Sequence, residues 1–459
     1  MRMSFFLKLV YSIAPLWFQN VMISAYGYKL KKQRYGKLYQ EYLNYLKNRD
    51  YSDLEREKQI QNEEFVKLLH YAMAHSKFYQ RFYKDIDIDS IKSVDDIEKL
   101  PILDKETLRK NIQDIYTINP KDGIMSFTGG TTGKSLRVVF THEDNQKRMA
   151  ILDAFKYRHG FENGKMKAAR FNGKNIIPLR QKKKVYWRDN IAIQQRIYSS
   201  FYISPDNIPY YVANLNAYKP TEIDGFVTSI YDIAKYMKDN NIKAEFTPKA
   251  IFPTSETVLP IHRQVLEEVF HCPVCDQYAS SEGAPFITEC TCGSMHEDVT
   301  TGVFEHIKTE QGTKLIVTSF TTYGTPLIRY DIEDNVIEYH PKHYCSCSIS
   351  HPIIRAIDGR KADYLVSKER GNINLGNLSN VIKELPNCIK NIQFVQNSLE
   401  RIDINIVVDK DLYKSEYDIQ IIKEMTYRFG ENMSFGVNQV DRIEREKSGK
   451  YRLIKNDLK

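Results

Sequence analysis

The chain has 459 residues, more than one hydrophobic core usually organises, so its length predicts two or more domains. Charged residues make up 27% and hydrophobic residues 42% of the sequence, a balance that excludes a largely disordered chain. The net charge of +8 is small for this length and gives no reason to expect a nucleic-acid partner.

The first thirty residues are rich in apolar and aromatic side chains between Phe5 and Tyr28. Lys8, Pro15 and Gln19 interrupt them, so the segment lacks the run of about 18 apolar residues that crosses a bilayer. No cleavage pattern of small residues follows, which argues against a secretory signal. We therefore expect an amphipathic leader on a cytoplasmic protein, with at most peripheral contact to a membrane.

Residues 37–84 have the pattern of helices. Ser52 and Glu55 have the spacing of a capping box, and apolar residues follow them at helical intervals between Ile60 and Met73. Together with the leader, this pattern predicts a helical region over residues 1–90.

A glycine- and threonine-rich segment, MSFTGGTTGKSLRV, occupies residues 125–138. Its end is that of a Walker A loop, but Thr128 stands where that motif needs a glycine, and the residues after it favour a strand over a helix. Glycines let backbone N–H groups converge on an anion, while threonine hydroxyls and a lysine add donors. The predicted phosphate-binding residues are Thr128, Gly129, Gly130, Thr131, Thr132, Gly133 and Lys134.

Farther along, the pattern is mixed α/β. Val303–Ile307 and Leu315–Val317 flank a Glu-Gln-Gly turn, which predicts a hairpin. Alternating apolar residues between Ile402 and Val408 predict a half-buried strand, and Tyr417–Phe429 reads as a helix that ends at Gly430.

The sequence pattern changes to that of a small mixed unit after Asp358-Gly359-Arg360, which indicates a domain boundary there. We expect a large multi-sheet α/β domain over residues 1–360 and a small α+β domain over residues 361–459.

Seven cysteines without a secretory signal favour a reducing compartment and metal binding over disulfides. Three thiolates and one imidazole from two segments make a set that suits a closed, tetrahedral zinc site. The set is Cys290, His296, Cys345 and Cys347. Two alternatives stay open: Cys292 in place of Cys290, and cysteines that are buried without a metal.

Several motifs, in order, resemble those of the adenylate-forming superfamily of acyl-coenzyme A synthetases, in its phenylacetate–coenzyme A ligase and capsular-polysaccharide CapK-type branch. LLHYAMAHSKFYQRFY and LPILDKETLRKN are similar to the N-terminal signature of the ligases, and WFQNVMISAYGY and QRYGKLYQEYL to the CapK-type leader. The phosphate loop, DQYASSEGAP, PLIRYDIEDNV, IDGRKADYL and EREKSGKYR follow.

The resemblance implies the position of a nucleotide site. Glu282 is the expected Mg²⁺ carboxylate, Tyr278 borders the adenine, and Asp334 accepts hydrogen bonds from the ribose hydroxyls. Ser255 lines the adenine pocket, and Arg360 is a second ribose or phosphate contact.

A flexible C-terminal loop would deliver Lys450 to the α-phosphate, which makes the C-terminal domain a mobile lid. Lys450, Lys134 and Glu282 are therefore the expected catalytic residues.

The sequence departs from the family pattern at Gly129 and Ser135 in the loop, at Glu333 in place of a glycine, and at Ala362 in the hinge. The hinge departure puts in doubt a second half-reaction with coenzyme A.

The resemblance implies ATP-dependent adenylation of a small carboxylic acid with release of pyrophosphate. Transfer to coenzyme A or another acceptor would follow, in the making of surface polysaccharide. Three alternatives stay open: acyl transfer to a sugar or lipid carrier, a nucleotide-binding scaffold without turnover, and a P-loop NTPase. The sequence does not specify the acid, the acceptor or the oligomeric state.

Overall fold

The computed structural model describes the chain apart from the following residues: 1–4, 128–135, 173–175, 179–180, 204–205, 256–257, 259, 310–311, 341–344, 360–363, 375–377, 379–387, 409, 442, 444–453 and 459.

Twelve α-helices, α1 to α12 in chain order, lie in this described part. They are Phe5–Ile13, Leu16–Arg34, Lys37–Lys47, Leu54–His75, Lys77–Phe82, Lys105–Lys110, Ile112–Ile115, His142–Arg158, Ile208–Tyr218, Val227–Asp239, Pro260–Phe270 and Glu416–Phe429. None of the described helices is long and apolar enough to cross a bilayer.

Twenty strands, β1 to β20, accompany them. They are Ile124–Phe127, Arg137–Phe140, Ala168–Asn172, Trp187–Asn190, Gln195–Ser199, Glu222–Gly225, Ala250–Pro253, Gln277–Tyr278, Ile287–Glu289, Met295–Glu297, Gly302–Thr309, Gly312–Ser319, Tyr330–His340, Ile353–Gly359, Tyr364–Ser367, Gly371–Asn374, Ile389–Ser398, Arg401–Val408, Ser434–Gln439 and Ile454–Asn456.

The strands form three larger sheets and two hairpins. An antiparallel sheet has the order β11-β12-β13-β14-β10-β9-β8, and a five-stranded sheet, parallel except for the β4–β5 pair, has the order β4-β5-β3-β6-β7. Near the C-terminus, the third sheet has the order β19-β18-β17-β20. The α/β class with several sheets, expected from the sequence, is confirmed.

Each large sheet has its own apolar core. Helices α4 and α5 pack their buried side chains against the seven-stranded sheet, so that Phe65 and Leu68 belong to the same core as Val317 and Tyr330. A second core lies around the parallel sheet, and a third lies among residues 365–454, where α12 covers the C-terminal sheet.

Three local predictions are confirmed. The hairpin forms between β11 and β12, with Glu305 opposite Ile316. The alternating residues form β18, and α12 ends at Gly430, whose φ of +94° suits glycine.

The predicted capping box is wrong. Helix α4 begins after Asp53, whose side chain accepts a hydrogen bond from the Arg56 N–H. The Ser52 hydroxyl instead donates to Asp50 at 2.7 Å. Aspartate and serine are both common N-caps. The conformation of the turn before α4 therefore decides which of the two adjacent residues, Ser52 or Asp53, caps the helix.

Candidate functional site

The structure describes four of the residues predicted for the nucleotide site: Ser255, Tyr278, Glu282 and Asp334. Residues 128–134, Arg360 and Lys450 lie outside the described residues.

The strands on either side of the predicted phosphate loop pair with each other. Phe127, the last residue of β1, lies opposite Arg137, the first residue of β2. The loop therefore connects the two strands of a hairpin, whereas a Walker A loop leads into a helix. This observation confirms the strand that the sequence predicted after the loop.

The hairpin is fixed to the segment that follows β12. Thr325 Oγ1 accepts from the Val139 N–H at 2.8 Å and donates to the Val139 carbonyl at 2.9 Å. Asp144, in the capping box at the start of α8, accepts from the Gly324 N–H at 3.1 Å. These buried bonds hold the base of the loop against the seven-stranded sheet.

Tyr278 and Asp334 come together although 56 residues separate them. The Tyr278 hydroxyl donates to Asp334 Oδ2 at 2.8 Å. Tyr278 ends the edge strand β8, and Asp334 lies in β13 of the same sheet. The pair therefore presents an aromatic ring beside a carboxylate, the two groups expected to border adenine and ribose.

Glu282 is buried and lies beside a lysine. Lys105 Nζ is 3.4 Å from Glu282 Oε1 and 3.2 Å from Glu333 Oε2. Lys105 and Glu282 are almost fully buried, but the Glu333 side chain is 44% exposed. The ammonium is thus shared between an enclosed carboxylate and one that contacts solvent.

Backbone pairing with β13 positions Lys105. The Leu103 N–H donates to the Arg329 carbonyl at 2.9 Å, and the Asp331 N–H donates to the Leu103 carbonyl at 2.9 Å. Asp104 then caps α6, so Lys105 is the first residue of the helix.

Arg148 of α8 supports the backbone next to Glu282. Its guanidinium donates to the carbonyls of Gly283 and Ala284 and to the Thr321 hydroxyl, at 2.8 to 3.1 Å. Burial lowers the pKa of Arg148 to about 10. Gly283 has a φ of +106°, and a Cβ there would lie 2.4 Å from the Thr322 methyl group, so glycine is required at this turn.

Glu333 occupies the position at which the family motif has glycine, and its φ is +66°. That region of backbone space is unfavourable for residues with a Cβ, at a cost of about 1–2 kcal/mol. A glycine would take this conformation without strain, whereas Glu333 adds a carboxylate that reaches Lys105. Ser255, just after β7, has the same φ of +66° and is exposed.

The described residues fit a hard divalent cation. Glu282 supplies a buried carboxylate, the donor type that Mg²⁺ prefers, and a bound cation would take the place of the Lys105 ammonium that now lies beside it. The second carboxylate, Glu333, is also within reach of that ammonium.

The four residues of the predicted zinc set lie together. The metal-binding atoms of Cys290, His296, Cys345 and Cys347 are all within 4.8 Å of one another. We call these residues the Cys/His cluster. Cys290, and not the exposed Cys292, belongs to it.

The turn after β9 prepares Cys290 as a ligand. Its Sγ accepts from the N–H groups of Cys292 and Ser294, each at 3.4 Å, and Gly293 closes the turn with a φ of +84°. Burial raises the pKa of the Cys290 thiol, and these two N–H groups partly offset that effect because they stabilise the thiolate.

His296 is oriented by a backbone contact. Its Nδ1 lies 3.0 Å from the His351 carbonyl, and its Nε2 lies 3.3 Å from Cys347 Sγ. Donation from Nδ1 leaves the Nε2 lone pair directed at the thiols, the second-shell arrangement of zinc-bound histidines.

The distances fit a tetrahedral ion better than a disulfide. Cys290 Sγ and Cys345 Sγ are 3.5 Å apart. Bonded sulfurs lie about 2.05 Å apart, whereas two sulfurs about 2.3 Å from one tetrahedral zinc lie about 3.8 Å apart.

The Cys/His cluster and Tyr278 belong to the same sheet. Gln277, Thr288, His296 and Ile353 lie opposite one another in a row across β8, β9, β10 and β14. A metal bound at His296 would therefore stabilise the strands that carry Tyr278 and precede Glu282. Two other cysteines, Cys272 and Cys275, are buried outside this cluster, and burial raises the pKa of Cys272 to about 12.

Lys105 and Arg148 were not among the predicted site residues. Lys105 lies in LPILDKETLRKN, which the sequence pointed to only as a family signature. Arg148 had a detectable signal, because it shares a helix face with the buried residues Ile151 and Phe155. A charged residue on such a face requires a buried partner.

Known proteins resemble this chain both in its C-terminal part and over nearly its whole length. A family model described as the CapK C-terminal domain matches residues 365–457. Protein CapK of Staphylococcus aureus is 39% identical over 458 residues, which cover 99% of this chain and 100% of that protein.

Solved structures of 2-hydroxyisobutyryl-CoA ligase have the same fold. One, in the postadenylation state with R3-HIB-AMP, has a TM-score of 0.57 and 15% identity, and the match covers 89% of this chain and 91% of that one. Another, with 2-HIB-AMP and CoA in the thioesterification state, has the same TM-score, identity and coverage.

Proposed function

The chain belongs to the CapK family, and it has the fold of 2-hydroxyisobutyryl-CoA ligase. We propose that it transfers AMP from ATP to a carboxylic acid. The observation that carries this proposal is the Tyr278–Asp334 pair on one sheet, with the buried Glu282 in the turn that follows Tyr278, beside the hairpin that bears the phosphate loop.

In the proposed reaction a carboxylate oxygen of the acid attacks the α-phosphorus of ATP. The bond between the α-phosphorus and the oxygen bridging to the β-phosphate breaks, and pyrophosphate leaves with that electron pair. No proton transfer is needed, so the protein contributes position and charge rather than a base or nucleophile.

Each residue has a defined task in this scheme. Asp334, held by Tyr278, accepts hydrogen bonds from the ribose hydroxyls and fixes the α-phosphate relative to the acid. The N–H groups of residues 128–133 and the Lys134 ammonium hold the phosphates, while Ser255 and Arg360 border the nucleotide. Lys450 approaches the α-phosphate from residues 361–459, which act as a mobile lid.

Glu282 would hold Mg²⁺, which when bound neutralises charge on the phosphate oxygens. Lys105, 3.4 Å from Glu282, holds this carboxylate in place before the cation binds.

The acyl adenylate then passes to an acceptor. Coenzyme A is one candidate, because CoA is present in structures of the same fold. A sugar or lipid-linked saccharide is the other, since the S. aureus relative is named CapK, and we place the product in the making of surface polysaccharide in the cytoplasm.

ATP–pyrophosphate exchange against a panel of carboxylic acids tests the adenylation. We expect exchange that depends on one class of acid and falls about a hundredfold or more in Lys450→Ala. Lys447→Ala, which removes a lysine from the same segment, should exchange like the native protein. ATP binding without exchange for any acid would instead identify a scaffold, and acid-independent release of γ-phosphate would identify an NTPase.

We also propose that the Cys/His cluster binds one structural zinc ion. It offers four ligands, which leaves no coordination position for a substrate. Metal analysis of the purified protein should give about one equivalent of zinc, less than half that amount in Cys345→Ser, and the native amount in Cys292→Ser. Less than half an equivalent in the native protein would contradict the proposal.

A further inference from the structure

Helices α1 and α2 present an apolar stripe to solvent. It consists of Phe6, Leu9, Ile13, Trp17, Val21 and Tyr28, all of them exposed. Ile13 is 77% and Trp17 66% exposed, values that are unusual for large apolar side chains. Within each helix the members recur at intervals of three, four or seven residues, so they share one face.

The opposite side of the two helices is attached to the rest of the protein. The Tyr11 hydroxyl donates to the Ile176 carbonyl at 2.6 Å, and Arg188 Nε donates to Gln19 Oε1 at 2.7 Å. Ser24 Oγ donates to the Asp189 carbonyl at 3.2 Å. These contacts hold the helices with the apolar stripe facing outward.

The segment that bears the stripe has a net positive charge. Residues 1–40 contain no aspartate or glutamate, and their basic residues are Arg2, Lys8, Lys29, Lys31, Lys32, Arg34 and Lys37. Lys182, Lys183 and Lys184 are exposed in a loop next to α2. Arg188 links this loop to the helix, because its Nη2 donates to Gln181 Oε1 at 2.6 Å and also to Gln19 of α2.

We propose that this face binds the surface of an anionic lipid bilayer. Phe, Leu, Ile and Trp on one helix face enter the boundary between headgroups and acyl chains, and lysines beside them attract acidic headgroups. Contact with a second copy of the chain through the same face would bring two clusters of positive charge together, which electrostatic repulsion opposes.

The inference goes beyond the proposed function and does not depend on it. Where both hold, activated acyl groups form at the membrane surface, next to acceptors that are carried on lipids.

Vesicle flotation measures the binding. We expect the full-length protein to float with vesicles of phosphatidylglycerol and phosphatidylethanolamine in equal parts, and not with pure phosphatidylcholine. The double variant Ile13→Glu/Trp17→Glu should bind about tenfold or more weakly, as should the variant with Lys182, Lys183 and Lys184 changed to glutamate. Ile419→Glu, at an apolar residue that is 71% exposed in α12, is the matched control and should bind normally.

Fluorescence provides a second measurement that leaves the stripe intact. The chain has two tryptophans, so Trp187→Phe leaves Trp17 as the sole reporter. We expect its emission to shift to shorter wavelength with anionic vesicles and to be quenched by brominated acyl chains.

Absence of both flotation and the spectral shift would overturn the proposal. So would equal binding by the native protein and the Ile13→Glu/Trp17→Glu variant. A native dimer in light scattering that this variant converts to a monomer would assign the face to a second copy instead.

Discussion

Two lysines, Lys156 and Lys105, each lie between two carboxylates, and their surroundings differ. Lys156 Nζ is 2.9 Å from Glu222 and 2.8 Å from Asp224, all three are buried, and Arg170 completes the group at 2.9 Å from Asp224. Lys105 has one enclosed partner, Glu282, and one partly exposed partner, Glu333.

The electrostatics of the enclosed group reflect this difference. Burial opposes the charge on Lys156, but Asp224 and Glu222 outweigh that effect and raise its pKa well above the ordinary value. Burial raises the pKa of Glu222 to about 8. We therefore expect Lys156 to stabilise the fold, and the carboxylates beside Lys105 to be available to a ligand because one of them, Glu333, is partly exposed.

Removal of the enclosed lysine should have the largest effect on stability. Lys156→Met leaves the buried carboxylate of Asp224 and the buried carboxyl group of Glu222 without their shared ammonium, and we expect a loss of about 3–5 kcal/mol in the free energy of unfolding. Urea denaturation measures it. Lys165→Met, which removes a lysine from an exposed pair with Glu162, should change stability by less than about 1 kcal/mol. Similar values for both variants would contradict the distinction.

The same group predicts a dependence on pH. Glu222 keeps its proton in the folded protein up to about pH 8 but loses it near the ordinary value of 4.5 once unfolded. The folded state therefore binds more protons in this interval, so its stability falls as pH rises from about 5 to 8. Glutamine at this position, in Glu222→Gln, cannot ionise. Over the same pH range, the free energy of unfolding of this variant should fall less than that of the native protein, by a margin of about 1 kcal/mol or more. Parallel curves for the two proteins would refute the assignment.

Loss of Lys105, whose partner Glu333 is partly exposed, should make stability respond to magnesium. Lys105→Met leaves Glu282 buried without its ammonium, which should lower stability by about 1–3 kcal/mol in the absence of divalent cations. Millimolar Mg²⁺ should restore part of this loss, because the cation takes the place of the ammonium, and should not restore Lys156→Met. Thermal unfolding with and without Mg²⁺ measures both.

Lys110→Met, exposed on the same short helix, is the control for Lys105→Met and should behave like the native protein. An equal response to Mg²⁺ in the Lys156→Met and Lys105→Met proteins would remove the contrast between the two lysines.

The smallest expected effect concerns Glu333. Glu333→Ala and Glu333→Gly both remove the partner of Lys105, but only glycine relieves the backbone at φ +66°. We expect the glycine variant to be more stable than the alanine variant by about 1 kcal/mol, measured by chemical denaturation. An alanine variant of equal or higher stability would show that the backbone there is not strained.

Sequence patterns predicted the elements that depend on neighbours along the chain. The β11–β12 hairpin and α12 followed from alternation, turn residues and a stop at glycine, all of which act over a few residues. The Cys/His cluster was also predictable, because its chemistry leaves few residue types to choose from. Its position in one row with Gln277, the neighbour of Tyr278, was not, since that depends on strand register.

Lys105 and Arg148 could not be assigned from local patterns. Lys105 meets Glu333 across 228 positions, and Arg148 meets Gly283 across 135. Such contacts depend on how α6 and α8 pack against the large sheet. The positive φ of Glu333 was indicated only indirectly, by the glycine that the family has at this position.

The products formed from ATP labelled at the α-phosphate test the adenylation most directly. In the presence of the cognate acid, the account predicts label in an acyl adenylate that depends on the acid and in AMP, with release of unlabelled pyrophosphate. The acid should be recovered as a hydroxamate when hydroxylamine is present. Glu282→Gln should reduce this product about a hundredfold or more. Label that appears in ADP, with release of the γ-phosphate and no dependence on any acid, would contradict the account.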